Sequence, residues 1–227
     1  MESVVHLRSA VAVLGRFPAL AGVDLDVDHG ENLLLRGPNG AGKTTMLRLC
    51  AGLTPLSSGE AVVLGVDLAR QAHAVRRRVG LLGHATYLYD DLTVTENLDF
   101  WARASGATTA DGRAALDRLG VAHRLWSLPV HALSAGQRRR VSFSAMVARR
   151  PELWLLDEPH AGLDAAGRDI IDGLMREASS VGATVLFASH ELDRAGDVAT
   201  RAVEIVGGTI TAPVPPAGAP LAASVAP

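Results

Sequence analysis

The 227-residue chain is short of several things. It holds one cysteine, Cys50, so no disulfide framework is possible and a reducing, cytosolic compartment is expected. No run of about 18 apolar residues occurs, which excludes a transmembrane helix of its own within the sequence. No basic segment leading into an apolar one opens the chain, so no signal peptide is expected. The net charge is −2, and nothing in that balance asks for a nucleic-acid partner. Aromatic residues are 4% of the total, and Phe17 is the sole one before residue 37. Heptad runs are missing too. What the chain does have is 48% hydrophobic residues, enough for one large α/β domain or two small ones with a sizeable core.

The stretch Gly37-Pro38-Asn39-Gly40-Ala41-Gly42-Lys43-Thr44-Thr45 fits G-x-x-x-x-G-K-[ST]. The apolar run Leu33-Leu34-Leu35 before it reads as a buried strand, and Met46 to Ala51 after it reads as a helix. That strand–loop–helix context predicts a phosphate-binding loop. Gly37, Gly40 and Gly42 let the backbone curl so that several N–H groups face one anion. The helix start near Lys43 adds its positive dipole end. Lys43 can reach the β- and γ-phosphates of a nucleotide, and Thr44 offers a hydroxyl to Mg²⁺.

Upstream, Ser3 to Leu7 and Val23 to Val27 read as short strands. The second alternates apolar residues with Asp24, Asp26 and Asp28, the period of a half-exposed antiparallel strand with a solvated acidic face. Phe17 is the candidate surface for stacking adenine, with ordinary packing as the equal alternative. Downstream, Glu60 to Leu64 and Val79 to Leu82 are strands. Arg76-Arg77-Arg78 reads as a solvated helix end. From Ala85 to about Arg150 the texture is helical, with Thr93 and Thr95 capping a helix from Glu96 to Ala104 and a second helix from Asp111 to Leu119. This stretch is expected to be a subdomain inserted in an α/β core. Ser134 is a good N-cap for a helix over Arg138 to Arg149, and the small residues between leave donors accessible, a second anion site. Arg138-Arg139-Arg140 reads as one charged helix turn.

Glu152 to Leu156 is a buried strand that delivers Asp157 and Glu158 at its carboxyl end, where open α/β sheets place chemistry. Asp157 is expected to hold Mg²⁺, and Glu158 to orient and deprotonate a water. Ala165 to Ser180 is a helix, and Thr184 to Ala188 a strand ending at Ser189-His190, which puts His190 at the same edge for a γ-phosphate contact. Strands near Ala202 to Val206 and Thr209 to Thr211 close the domain, 1–211. Residues 212–227 are rich in Pro and Ala, and read as a disordered tail.

In this order the motifs resemble the ATP-binding subunits of ABC transporters over about residues 1–210. Walker A is Gly37 to Thr44, Walker B Leu153 to Glu158, the signature Leu133 to Gln137, the D-loop Ala161 to Asp164, and the switch histidine His190. The resemblance implies a P-loop NTPase core with an antiparallel β subdomain and an inserted helical subdomain. It implies ATP and Mg²⁺ as ligands, with Thr44 and Asp157 serving the metal and Glu158 as general base. It also implies a head-to-tail homodimer, in which Ser134, Gly136, Gln137 and Asp164 join the partner's nucleotide site. Integral membrane subunits would receive the motion, which places the chain peripherally on the cytoplasmic face of the membrane.

Three positions depart from the family pattern. His84 stands where a glutamine is usual, and imidazole suits a hard ion less well than an amide oxygen. Ala135 replaces the first signature glycine. Leu14 takes the place of the usual adenine-stacking aromatic, leaving Phe17 as its substitute. Gly83-His84, the signature followed by Arg139-Arg140-Val141, and Leu153 to Pro159 are similar to the ATP-binding subunits of haem exporters in cytochrome c biogenesis. An exporter of another substrate, or a non-transport ABC ATPase, is the alternative reading.

Overall fold

A computed structural model describes residues 3–83 and 85–214. Two sheets share the work. The smaller is antiparallel, in the order β2-β1-β4-β5, from β1 (Val5–Leu14), β2 (Phe17–Val27), β4 (Ser58–Val63) and β5 (Val66–Asp67). The larger runs β10-β9-β3-β8-β7-β6, from β3 (Asn32–Arg36), β6 (Val79–Leu82), β7 (Leu153–Asp157), β8 (Thr184–Ala188), β9 (Arg201–Val206) and β10 (Thr209–Val214). All its pairings are parallel except β9 with β10. The architecture is the P-loop α/β core with an antiparallel β subdomain and a helical insertion that the motifs imply.

The parallel strands are buried on both faces, which is why they read as unbroken apolar runs rather than alternations. Alternate residues still serve opposite sides. Leu33, Leu35, Leu153 and Leu155 pack toward the antiparallel sheet and α1 (Lys43–Cys50). Leu34, Trp154 and Leu156 pack on the other side, against helices. Cys50 sits in the first of these cores, fully buried, and burial pushes its thiol pKa up to about 12. It is a small packing residue, as expected.

After the short α2 (Leu68–Gln71), the helical insertion contains α3 (Val94–Ser105), α4 (Thr109–Arg118) and α5 (Ala135–Val147). Each starts with a reciprocal capping box: Thr93 with Glu96, Thr108 with Asp111, and Ser134 with Gln137. Thr93 alone caps α3; Thr95 lies inside the helix and its hydroxyl donates to the Trp126 carbonyl over 3.1 Å. The core resumes with β7, then α6 (Ala165–Ser180), β8 and α7 (Leu192–Val198).

Several expectations need correction. β1 and β2 are a hairpin about twice the length that the apolar pattern suggests, because register shifts near Ser9 and Ala10 break the alternation. The Arg76–Arg78 run does close a short 3₁₀ helix, Ala72–Arg77, with Arg76 and Arg77 exposed as expected, but it is more than a solvated end. Arg76 donates to the Gly52 carbonyl, and Arg78 grips Glu152 at 2.6 and 2.7 Å and reaches the Leu64 carbonyl. The acids of β2 are exposed as expected, but Asp26 is paired with Arg8 and His6, and Asp24 accepts the Ser9 amide. β10 continues to Val214, paired with Ala202, so residues 212–214 belong to the sheet. The rest of the expected tail, 215–227, lies outside the described residues.

Candidate nucleotide site

Three neighbouring parallel strands, β3, β8 and β7, end at one edge of the sheet. The loop after β3 turns into α1, and a Cβ at Gly37 would fall 2.1 Å from the Ile205 carbonyl oxygen, so only glycine fits there. Gly42 has φ 112° and opens α1 without a side-chain cap, leaving the first-turn N–H groups for an anion. Lys43 is buried at 8% exposure, and its ammonium donates to the carbonyls of Gly37 and Pro38 at 2.6 and 3.0 Å. Its charge therefore sits inside the loop that would cradle phosphate. Ala41 and Thr45 are buried supports, whereas Pro38, Asn39, Gly40 and Thr44 are exposed.

β7 brings Asp157 across to that loop. The Thr44 hydroxyl donates to Asp157 Oδ2 over 2.7 Å. A hydroxyl and a carboxylate in contact form a hard-oxygen pair that suits Mg²⁺, an ion that takes one or two protein ligands and completes its shell with phosphate and water. Among the described residues no three His, Cys, Asp or Glu side chains gather to hold a metal unaided.

Glu158 follows with φ 50°, a left-handed conformation uncommon outside glycine, which turns its side chain away from that of Asp157. Its carboxylate accepts the His190 amide at 3.2 Å, and His190 Nε2 lies 3.4 Å from Glu158 Oε1. Residues 39–45, Asp157, Glu158 and His190 line one cleft of about 420 Å³. Leu14 and Ala19 of the hairpin form its apolar rim. Phe17, 78% exposed, is not among the lining residues, but it is paired directly with Leu14 across the hairpin, so the two share a face beside the cleft mouth. His84 lies outside the described residues.

A second cleft, of about 630 Å³, has Ser134, Gly136, Gln137 and Asp164 on its walls. Ser134 is exposed; its hydroxyl accepts the Gln137 amide and Gln137 Oε1 accepts the Ser134 amide. A Cβ at Gly136 would lie 2.7 Å from the Gly162 carbonyl oxygen, so the signature turn and the D-loop approach as closely as only glycine allows. Arg140 locks them further, donating to Asp164 and to the Leu119 carbonyl. Its hydrogen bond, with that of the Gly167 amide, holds the Asp164 carboxyl below the ordinary range. Among the described residues none lines both clefts.

One side chain of the first cleft escapes a reading of the sequence. Arg139 is not part of a solvated charged turn: it is 6% exposed and donates to the carbonyls of Gly83, Asp157 and Glu158. Burial lowers its pKa to about 10, against the favourable charges of Asp157 and Glu158. The available signal is helical spacing, since Phe143 and Met146, four and seven residues on, are core residues of the same face.

A model of the ABC transporter family matches residues 20–161. The chain is 39% identical over 187 residues to the cytochrome c biogenesis ATP-binding export protein CcmA of Bradyrhizobium diazoefficiens, an alignment covering 81% of this chain and 90% of that one. It is 42% identical, at the same coverage, to the protein of that name from Rhodopseudomonas palustris. Its fold superposes with a TM-score of 0.85 on a dimeric ATP-binding cassette in a post-hydrolysis state bound to ADP and Pi, at 24% identity, covering 94% of this chain and 99% of that one.

Proposed function

The chain belongs to the ABC transporter family of ATP-binding proteins, and from that premise we infer that it is the motor subunit of a haem exporter serving cytochrome c biogenesis. It is an ATPase coupled to transport. The observation that carries the reading further is the pair of separate, open anion sites on one chain, Gly37 to Thr45 and Ser134 to Gln137. One nucleotide meets both kinds of site only across an interface, so two copies of the chain, head to tail, enclose two ATP molecules. Cytochrome c biogenesis as the setting rests on the two relatives and on the sequence features around Arg139 and Asp157.

In this scheme the P-loop amides and Lys43 bind the β- and γ-phosphates. Thr44 and Asp157 would hold Mg²⁺, which would supply positive charge to the phosphates when bound. Glu158 orients a water and accepts its proton as the oxygen–phosphorus bond forms and the bond to the leaving ADP oxygen breaks. His190 steadies the Glu158 carboxylate and contacts the γ-phosphate. Ser134, Gly136 and Gln137 of the partner subunit's copy of the signature close the far side. Leu14 and Phe17 give adenine an apolar platform.

Among the described residues no helix is long and apolar enough to cross a membrane, so the membrane part falls to other subunits. A docking face for them is suggested where the scarce aromatics collect. Both tyrosines of the chain, Tyr87 and Tyr89, stand exposed beside Phe100 and Leu53, with the Tyr89 and Phe100 rings 5.0 Å apart. Exposed aromatic groups of this kind mark protein interfaces. With this docking, the chain sits on the cytoplasmic face of the membrane.

The test is purification of the chain from membranes with its partners, followed by an absorption spectrum for haem and an assay of phosphate released from ATP. Integral membrane subunits, bound haem and phosphate released to water are expected. Membrane subunits without haem, under conditions of haem supply, point instead to an exporter of another substrate. A chain that carries no membrane subunit fits the non-transport alternative.

A further inference from the structure

Arg139 is the one buried arginine among the described residues, and its position is odd for a charge. It lies one turn into α5, the helix capped by Ser134, yet its guanidinium ends among backbone carbonyls at the tips of two strands. One nitrogen, Nη2, donates to both the Asp157 carbonyl at 2.9 Å and the Glu158 carbonyl at 2.6 Å. The other, Nη1, donates to the Gly83 carbonyl just past β6. The Nε atom is buried with no partner, and the guanidinium carbon stands 6.0 Å from the Phe143 ring centre. A planar, rigid fork suits this task; a lysine offers a single point.

The carbonyls it holds flank the left-handed corner at Glu158. That corner also has backbone ties, the Glu158 amide to the Ala188 carbonyl at 2.9 Å and the Ala161 amide to the Glu158 carbonyl at 3.2 Å, while the His190 amide holds its side chain. Left-handed backbone persists in a residue with a side chain only where its surroundings over-determine it, and Arg139 is the part of those surroundings that comes from the helical insertion. We propose that Arg139 is a positioning residue for hydrolysis, which fixes the Glu158 corner and ties its geometry to the helix whose tip carries Ser134. The inference rests on the reading of Glu158 as the base. It adds a direct route from the signature helix to that base within one subunit, because the side chain spans both.

The experiment compares the full-length parent, Arg139→Lys, Arg139→Gln, Glu158→Gln and the double variants, measuring kcat by phosphate release, ATP affinity by binding, and the thermal midpoint. Lys keeps charge without the fork, and Gln keeps one short amide donor, so folding is tested twice. Each Arg139 variant is expected to lower kcat by about tenfold or more, as slight misplacement of a reacting group does, while ATP affinity stays within about twofold. In the Glu158→Gln background the same substitutions are expected to change the residual rate by less than about twofold, the mark of a residue that acts through another. Equal losses in both backgrounds, a loss of affinity that accounts for the loss of rate, or an unchanged kcat overturns the inference. Parental kcat in Glu158→Gln itself instead removes the reading of the base on which it stands. Loss of folding in both Arg139 variants, seen as collapse of the thermal midpoint, makes Arg139 a structural residue and also overturns it.

Discussion

Thr44 and Asp157 stand 113 positions apart in the sequence, and the hydroxyl of the first donates to the carboxylate of the second over 2.7 Å. The contact joins the start of α1 to the end of β7 through the parallel sheet between them. Thr44→Ala removes one hard oxygen and is expected to raise the Mg²⁺ concentration for half-maximal ATPase activity by about tenfold or more, as loss of metal-site groups does. Thr44→Ser keeps the oxygen and is expected to stay near the parent. A magnesium titration of the three proteins decides, and identical curves for parent and Thr44→Ala contradict the assignment.

Gly136 gives a different kind of prediction. An added methyl there meets the Gly162 carbonyl oxygen at 2.7 Å, so Gly136→Ala must push the signature turn and the D-loop apart. Hydrolysis is expected to fall by about tenfold or more, with ATP affinity of the isolated chain unchanged because Gly136 is no part of the P-loop cleft. Parental turnover in this variant contradicts the closeness of the two segments.

A buried carboxylate bears on stability. His160 Nε2 lies 2.7 Å from Asp172 Oδ1, and Arg194 also donates to Asp172. Burial, the largest influence, pushes the Asp172 carboxyl up; His160 and Arg194 together more than offset it and leave its pKa below the ordinary 3.8. A depressed carboxylate stabilises the fold fully above its unfolded pKa and loses that contribution as pH falls through the folded one. Asp172→Asn is therefore expected to cost about 3 kcal/mol at neutral pH, the scale for breaking a buried pair. The difference should shrink as the pH falls below about 4. Urea midpoints of both proteins across that range check it, and a gap that stays constant or widens with acid contradicts it.

Cys50 supplies a simple probe of the core. A buried thiol with a pKa of about 12 carries almost no thiolate near pH 8. The native protein is expected to resist alkylation that proceeds readily in urea. Equal rates in both states contradict the burial of α1 against the sheets.

Much of this site was legible along the chain because its signals are local. The glycine spacing, the apolar strand before it and the helix after it identify the P-loop within a few residues, and the bounds of β6, β8 and α6 agree with the residues expected. Ser134 is recognisable as a cap because the capping box spans only four residues. Arg139 is not, because its partners lie 18, 19 and 56 residues away. In a line of three arginines, composition suggests a wet face, and the helical spacing to Phe143 and Met146 is the one local sign that sets Arg139 apart from Arg138. The same holds for Arg78, whose carboxylate partner is 74 residues distant. The long hairpin was hidden for another reason, since the bulge near Ser9 shifts the side-chain alternation midway.

The central claim is that two copies of this chain close on shared nucleotides and that Glu158 is needed to open them again. Its most direct measurement is the mass of Glu158→Gln in solution, by light scattering, with and without ATP. The account predicts a shift from the 23.7 kDa chain to a species of twice that mass when ATP is added, with hydrolysis all but stopped. A variant that stays a single chain at saturating ATP, or that turns ATP over as fast as the parent, contradicts it.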